Sequence, residues 1–420
     1  MFKFAHIADI HLGANRHPIL EKLETEKFNQ AMNKCIKEKV DFILICGDLF
    51  HIGIPDMSVL KNCVIKLKQI SDHGIPVYVI FGSHDYNPNT DSIVDILESA
   101  GLITNVAKGK NFCNGKLGLE FLIDKKTGAK IVGINARKGG IEKVYYEKLD
   151  RECLEKEGGF KIFCFHSGLS EFKPANMTNM DTMPVSYLPK GFNYYAGGHI
   201  HERIEERLPG YPKIVFPGPL FSGYPRDLER TAKGETRGFY IVSFNEQIKS
   251  LQFVELFGPK KLKYIEIDLT GKNSTIANSD IEAQLKQINV NNKIVLLKIK
   301  GVLEGGKTSE IRAQDYKNLL IQNGAVFVDV NRYGLSSKAY SAVKVTGDDR
   351  SSIEKKLFRE NIGAVTVSME NLKGEEGSKV AEKLLGLLKI DAKINETKKD
   401  YTSRFVEDAI EILKLRDVLQ

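Results

Sequence analysis

Five segments each bring aspartate or histidine to the end of an apolar run. They are IADIHLG (Asp9, His11), CGDLFH (Asp48, His51), FGSHD (Ser83, His84, Asp85), FCFHSG (His166) and AGGHIH (His199, His201). Six of the nine histidines of the chain fall in them. Imidazole suits transition-metal ions, while carboxylate suits harder cations and can bridge two of them. Two ions ~3.5–4 Å apart can share an aspartate, clamp a phosphate and lower the pKa of a bound water. A histidine beside them can protonate the alkoxide that leaves when a P–O bond breaks. The chemistry these residues suit is metal-assisted phosphoester hydrolysis. Any one histidine after a strand is more often structural than a ligand, so the weight lies on their shared placement. His6, His17 and His73 lie outside the five segments and read as structural.

Strands that end at one edge of a sheet converge there, which is where α/β domains keep their sites. The first 250 residues have the required rhythm. FKFAHIAD reads as a strand, and a segment with Leu20, Leu23, Phe28, Met32 and Ile36 at helical spacing leads into the strand DFILICGD. SVLKNCVIKLKQISDHG is another amphipathic helix before the strand PVYVIFG, and SIVDILESAGL is a third. Later runs are mostly strand and close with a hairpin turning near Asn245. The expected fold is α/β, a two-layer β-sandwich flanked by helices, over residues 1–257. FGPKKLKY reads as a linker. Residues 262–335 repeat strand and helix as a smaller α+β domain: strand 263–269, helix from Ser279, strand 293–303, helix 309–322, strand 325–334. Ser279 and Ser309 are the expected N-caps. Residues 336–398 read as a polar connector with short helices. Residues 399–420 read as an amphipathic helix with Phe405, Ala409 and Leu413 in line and Val406 and Ile410 beside them.

The 420 residues are 42% hydrophobic and 27% charged, ordinary for a globular protein. No apolar run reaches the ~18 residues of a membrane span. The N-terminus places His6 and Asp9 where a signal peptide would be apolar, so a cytoplasmic protein is expected. Six scattered cysteines without CxxC spacing read as buried, reduced thiols. A formal charge of +7 permits a polyanionic partner without demanding one. Basic residues cluster at NARKGGIEK (Arg137, Lys138, Lys143) and YPRDLERTAKGETRG (Arg226, Arg230, Lys233, Arg237), with Arg16 close to the first motif. They suit phosphate contacts, although such runs are commonly solvated surface and acidic residues interrupt both.

In this order, D-x-H, GD-x-x-H, G-x-HD, a lone H and GH-x-H resemble the calcineurin-like metallophosphoesterases. The early AHIADIHLG and the extra domains are similar to the SbcD-type exonucleases, the nuclease subunits of double-strand-break repair complexes. The resemblance implies the metallophosphoesterase fold, a capping domain at 262–335 that binds DNA, and two Mn²⁺ per chain. One ion would be held by Asp9, His11, Asp48 and His201. The other would be held by Asp48 as bridge, His166, His199 and the residue at Ser83. His84 would position the phosphate and protonate the leaving group, His51 would assist, and Asp85 would orient His84. The family usually has Asn at Ser83. A serine hydroxyl falls short of an asparagine carbonyl by roughly one bond, ~1.5 Å, so a second metal of reduced affinity is expected. The resemblance further implies a homodimer through the helices SVLKNCVIKLKQI and SIVDILESAGL. It also implies a coiled-coil ABC-type ATPase partner docking on the C-terminal helix. The function it implies is a Mn-dependent exonuclease and single-strand endonuclease acting on DNA ends. Two other readings are a DNA-end-binding scaffold with a crippled site and a metallophosphodiesterase for small substrates.

Overall fold

A computed structural model of the chain describes residues 1–86, 92–113, 115–173, 180–338, 372, 374–391, 393 and 396–416. The chain packs as two compact units. The first comprises Met1–Ile265, Asn289–Leu297 and Leu320–Asp329; the second comprises Glu266–Ile288, Lys298–Leu319 and Val330–Gln420. Residues 289–297 belong to the first unit because Ile294 and Leu296 bury their side chains with Leu20, Phe221, Leu228, Phe257 and Leu262.

Two six-stranded sheets form the centre of the first unit. The first sheet holds β1 (Phe2–Ile7), β2 (Phe42–Cys46), β3 (Val77–Ile80) and β4 (Thr104–Asn105), parallel and adjacent in that order. The second holds β5 (Leu122–Ile123), β6 (Lys130–Ile134), β7 (Lys161–His166), β8 (Tyr194–Gly198), β9 (Ile204–Leu208) and β10 (Tyr211–Phe216), ordered β9-β10-β8-β7-β6-β5. The chain then returns to the first sheet. There β11 (Arg237–Phe244) pairs antiparallel with β1 and with β12 (Ile248–Phe257), the hairpin expected near Asn245.

Side chains alternate between faces along each strand. From β1 and β2, Phe4, Phe42 and Leu44 face the second sheet and meet Ile162, Cys164, Tyr194 and Ala196 there. Ala5, Ile7, Ile43 and Ile45 face outward and are covered by α1 (Pro18–Glu38) through Phe28 and Met32 and by α2 (Met57–Asp72) through Cys63 and Leu67. A third helix, α3 (Ile93–Ser99), adds Val94 and Leu97. The outer face of the second sheet buries Phe163, Phe165, Tyr195 and Phe216. Both faces of β1, β2, β7 and β8 are therefore apolar, which explains why these strands read as unbroken apolar runs. Each buried side chain of this kind contributes ~1.5–3 kcal/mol, so a one-residue slip of register is strongly disfavoured. His6 lies between the sheets with Nδ1 3.0 Å from the Tyr194 hydroxyl, and burial lowers its pKa to about 3. It is a neutral core histidine. His17 packs on Phe327, and His73 caps α2 with Nδ1 2.8 Å from the Gln69 carbonyl.

Helix α4 (Pro225–Ala232) precedes β11. Past β12 come β13 (Leu262–Asp268), α5 (Ser274–Lys286), β14 (Ile294–Leu303), α6 (Ala313–Gln322), β15 (Phe327–Asn331) and β16 (Leu335–Ser337). The expected element order holds, but three details differ. Asn273 is the cap of α5, accepting from Ile276 N at 2.9 Å, while Ser279 lies inside the helix and donates to the Thr275 carbonyl. A helix that starts one turn earlier needs its oxygen acceptor there. Ser309 falls in a separate 3₁₀ turn, Thr308–Glu310. The last expected strand is broken by the turn in which Asn331 accepts from Tyr333 N. A buried amide organises this unit: Asn278 donates to the Ser274 and Glu310 carbonyls and accepts from Arg312 N and the Tyr316 hydroxyl.

Within the former connector stands α7 (Gly374–Leu388), followed by α8 (Lys398–Leu413), which is capped by Thr397. Arg404 clasps Glu396 at 2.8 and 2.9 Å, and Tyr401 donates to the Ile390 carbonyl. Residues 339–371 and 417–420 of the expected connector and tail lie outside the described residues. Cys35, Cys46, Cys63 and Cys164 are buried free thiols, whereas Cys153 is exposed on a short surface helix. No helix among the described residues is long and apolar enough to cross a membrane. Asn273→Ala is expected to cost about 1 kcal/mol and Ser279→Ala less than about 0.5 kcal/mol, read as urea midpoints by circular dichroism. The reverse ranking would reject Asn273 as the cap.

Candidate metal centre

All five histidine- and aspartate-bearing segments leave parallel neighbours at the same edge of the sandwich. Asp9 and His11 follow β1, Asp48 and His51 follow β2, and Ser83, His84 and Asp85 follow β3. His166 ends β7 directly opposite Gly198 of the adjacent β8, with His199 and His201 just beyond. The backbone turns sharply at these points. Asp9, His11, Asp48 and His199 have φ of 51°, 51°, 53° and 86°, in the left-handed region that costs a non-glycine residue ~1–2 kcal/mol. Such conformations persist where the surroundings over-determine them, and they concentrate at functional sites.

A lattice of hydrogen bonds supplies that constraint. His11 N donates to the Asp48 carbonyl at 2.9 Å, Leu12 N to Leu49, and His51 N back to Leu12. His84 N donates to Asp48 Oδ1, and His199 N to Asp9 Oδ1, both at 2.9 Å. Asp85 accepts from Leu49 N, Phe50 N and Gly82 N. Asp85 therefore binds the Asp48 loop to its own turn and does not orient His84 as expected. His84 instead has Nδ1 2.6 Å from the His51 carbonyl. Gly82 is required because a Cβ there would collide with the Asp48 carboxylate, and at Gly47 one would collide with the His166 ring.

The donor atoms form three close groups: Asp9 with His11 and His201, Asp9 with Asp48 and His166, and His11 with His51 and His84. Asp48 Oδ2 lies 3.5 Å from His11 Nε2 and 3.2 Å from His166 Nε2. Asp9 Oδ1 lies 3.8 Å from His201 Nε2 and 3.9 Å from His166 Nδ1. Ser83 and His199 line the same pocket, about 640 Å³ in volume, outside these groups. The ring nitrogens are aimed by partners behind them. His166 Nδ1 donates to the Cys46 carbonyl and His201 Nδ1 to Asp227, each at 2.9 Å, leaving both Nε2 atoms for the centre.

Two buried carboxylates stand among rings most of which burial keeps neutral, which leaves the centre short of positive charge. Burial pushes Asp9 up to about 6 against the pull of His201 and His166. Burial would also raise Asp48, but His166, His11 and His84 overcome it and hold that carboxyl well below its usual range. Burial lowers His166, yet Asp48 and Asp9 outweigh it and push the ring up to about 10. His199 falls to about 3 through burial. Buried Asp9 Oδ2 and His166 Nε2 have no directed hydrogen bond. A mixed nitrogen and oxygen donor set with orphaned buried atoms and a proton held in place of charge fits divalent metal ions.

Several supporting residues carry no signal in the sequence. Asp227 Oδ2 accepts from His201 Nδ1, Gly223 N and Tyr224 N, all at 2.9 Å. Burial opposes its ionisation, but His201 and Arg237 hold it at about 2. The Tyr224 hydroxyl is 2.7 Å from His84 Nε2. Glu24 of α1, buried and raised to about 7 by that burial, accepts from Gly13 N, Asn15 N and Asn15 Nδ2, clamping the loop after His11. Asp227 and Tyr224 sit in the segment read as basic surface, and Glu24 in an ordinary amphipathic helix; only the chain's return to the site gives them a role.

The basic residues separate. Arg137 and Arg226 line the pocket, Arg137 with its guanidinium 4.3 Å above the Tyr86 ring. Lys143 lines it too, paired with Asp181. Arg16 is exposed on the loop after His11. Arg230 is held by Glu202 and Glu235, and Lys233 by Glu229. Arg237, expected at the surface, is buried and donates to the Thr231 hydroxyl and to the His201 and Asp227 carbonyls, because the turn after α4 carries it under the site. The side chain of Lys138 lies outside the described residues. On α8, Phe405, Ala409, Ile410 and Leu413 are half-buried and Val406 is exposed.

Residues 2–203 match the family model of the calcineurin-like phosphoesterases. Three archaeal proteins, each named DNA double-strand break repair protein Mre11, are similar along the chain. The one from Saccharolobus solfataricus is 24% identical over 403 residues, covering 92% of this chain and 100% of the relative. That from Methanocaldococcus jannaschii is 26% identical, covering 78% and 82%. That from Archaeoglobus fulgidus is 29% identical over 54% of this chain, which spans half of that relative's length. Residues 2–203 are thus similar to the calcineurin-like metallophosphoesterases, and the chain is similar to the archaeal Mre11 double-strand break repair proteins.

Proposed function

We propose that the protein is a Mn²⁺-dependent nuclease that hydrolyses phosphodiester bonds of DNA ends, with exonuclease and single-strand endonuclease activity. The observation that carries this reading is the Asp48 carboxylate lying between His11 on one side and His166 on the other, with buried Asp9 Oδ2 beside them lacking a hydrogen bond. Asp9, His11, Asp48 and His201 would hold one ion; Asp48, His166, His199 and Ser83 would hold the second. When bound, two such ions supply charge that clamps the phosphodiester and acidifies a water for in-line attack. The chain's own part is at His84 and His51. His84 Nδ1 is fixed on the His51 carbonyl, so Nε2 faces the pocket, where a protonated ring can hand its proton to the leaving oxygen as the P–O bond breaks. His51 stacks on His84 at 5.0 Å between centroids and supports it from the phosphate side. Arg137 and Arg226 at the pocket, and Arg16 beside it, suit contacts to backbone phosphates. Arg230 is already committed to two glutamates and contributes less.

The names of the relatives support DNA as the substrate. Residues 262–335 would cap and bind the DNA. The homodimer would form through α2 and α3, where Met57, Ile65 and Ile96 are exposed. Exposed Val406 with half-buried Phe405, Ala409, Ile410 and Leu413 on α8 suits docking of a coiled-coil ABC-type ATPase. The shortness of Ser83 favours a weakened second site, and a scaffold with a crippled centre is the reading to which failure of catalysis would lead.

On a labelled duplex with Mn²⁺, the chain is expected to cut, His84→Ala to abolish cutting, and Ser83→Asn to lower the Mn²⁺ required. Cutting by Ser83→Asn alone would make the present chain a disabled nuclease; inertness of all three would sink the nuclease reading. Metal binding should also depend on pH. A cation displaces the protons that Asp9 holds up to about 6 and His166 up to about 10, so acid competes with metal. One displaced proton makes Mn²⁺ binding weaken about tenfold from pH 7.5 to 6.5 by calorimetry. Unchanged affinity over that interval would remove His166 from the ligand set.

A further inference from the structure

We infer that Tyr224 is a positioning residue for the proton donor His84, holding its pocket-facing nitrogen in place; the inference rests on the phosphodiesterase reading of the site. A carbonyl oxygen can only accept, so the 2.6 Å contact between His84 Nδ1 and the His51 carbonyl puts a hydrogen on Nδ1. Nε2 is then the working nitrogen, and the group against it is the Tyr224 hydroxyl at 2.7 Å. Two anchors, one on each ring nitrogen, fix both the tautomer and the rotation of the imidazole. Nε2 has one hydrogen-bond direction, which the Tyr224 hydroxyl holds until a leaving oxygen takes its place and receives the proton there.

Tyr224 is itself built into place. Its backbone N donates to Asp227 Oδ2 at 2.9 Å, the Ser222 hydroxyl donates to its carbonyl, and Pro225 opens α4 immediately after it. Its ring packs against three more of the site histidines, with centroids 5.6 Å from His11, 5.7 Å from His51 and 5.4 Å from His201. Asp227, which seats the Tyr224 backbone, also accepts from His201 Nδ1. One carboxylate thus sets the metal-facing nitrogen of His201 and, through Tyr224, the pocket-facing nitrogen of His84. An incidental surface tyrosine would have neither the seat nor the partner.

Tyr224→Phe keeps the ring and removes only the hydroxyl. With Mn²⁺ and either a DNA duplex or bis(p-nitrophenyl) phosphate, it is expected to lower kcat about tenfold with KM and Mn²⁺ affinity unchanged. Two-bond ¹H–¹⁵N spectra of the metal-free chain should show the His84 Nε2 signal moving in Tyr224→Phe. An unchanged kcat with an unmoved signal would overturn the inference. A wild-type chain that hydrolyses no phosphodiester would overturn the functional reading and the catalytic role together. The spectra would still decide whether Tyr224 positions His84.

Discussion

Two carboxylates, Asp9 and Asp48, are buried at the edge of a sandwich whose interior is otherwise almost wholly apolar. Taking a carboxylate out of water costs several kcal/mol unless opposite charge or hydrogen bonds replace the solvent. The arrangement around them answers that cost. Asp48 Oδ1 takes the His84 amide and Asp9 Oδ1 takes the His199 amide, while imidazole rings crowd the remaining oxygens. Even so the balance is incomplete: Asp9 drifts toward its protonated form and His166 retains a proton. The centre is built for more positive charge than the polypeptide supplies, and divalent cations meet that requirement.

Holding so many donors within a few ångströms needs backbone that ordinary strands and helices do not provide. Parallel strands alone would bring Cα atoms no closer than about 4.8 Å in the pairing direction. The left-handed turns at Asp9, His11, Asp48 and His199 fold the side chains inward from that spacing. The apolar sandwich makes this strain tolerable. The many kcal/mol from burying β1, β2, β7 and β8 on both faces greatly exceed the few stored in four strained residues. Stability is thus concentrated in the sheets, and the edge is where it is given up for chemistry.

A second ring of residues converts this edge into a directed site. Asp85 ties the Asp48 loop to the turn after β3, Glu24 ties the loop after His11 to α1, and Asp227 ties His201 to the start of α4. Each is a carboxylate accepting N–H groups from a neighbouring loop. Arg237, buried under Asp227, lends that last bridge its counter-charge. The same economy separates the basic residues. Arg230 and Lys233, paired with neighbouring glutamates, brace the fold, whereas Arg137 and Arg226 line the pocket.

Much of this was legible in the chain. Apolar runs covered on both faces announced the sheets, and the histidines and aspartates at their ends announced a shared edge. Both signals are local, because strand period and strand end are written within a few residues. The first unit's order of elements, the hairpin near Asn245 and the convergence of Asp9, His11, Asp48, His166 and His201 followed from them. Local reading failed where a residue's role depends on what the chain returns to. Ser279 matched a cap pattern, yet the helix began one turn earlier at Asn273. Asp85 adjoins His84 in sequence but serves the Asp48 loop, and Arg237 looked like surface charge but lies under the site. Tyr224, Asp227 and Glu24 match no motif, and the His84 partner of Tyr224 lies 140 residues away. The sequence determined which side chains stand at the strand ends. Tertiary structure alone decided which distant carboxylates and hydroxyls aim them, because hydrogen bonds act over about 3 Å of space regardless of separation along the chain.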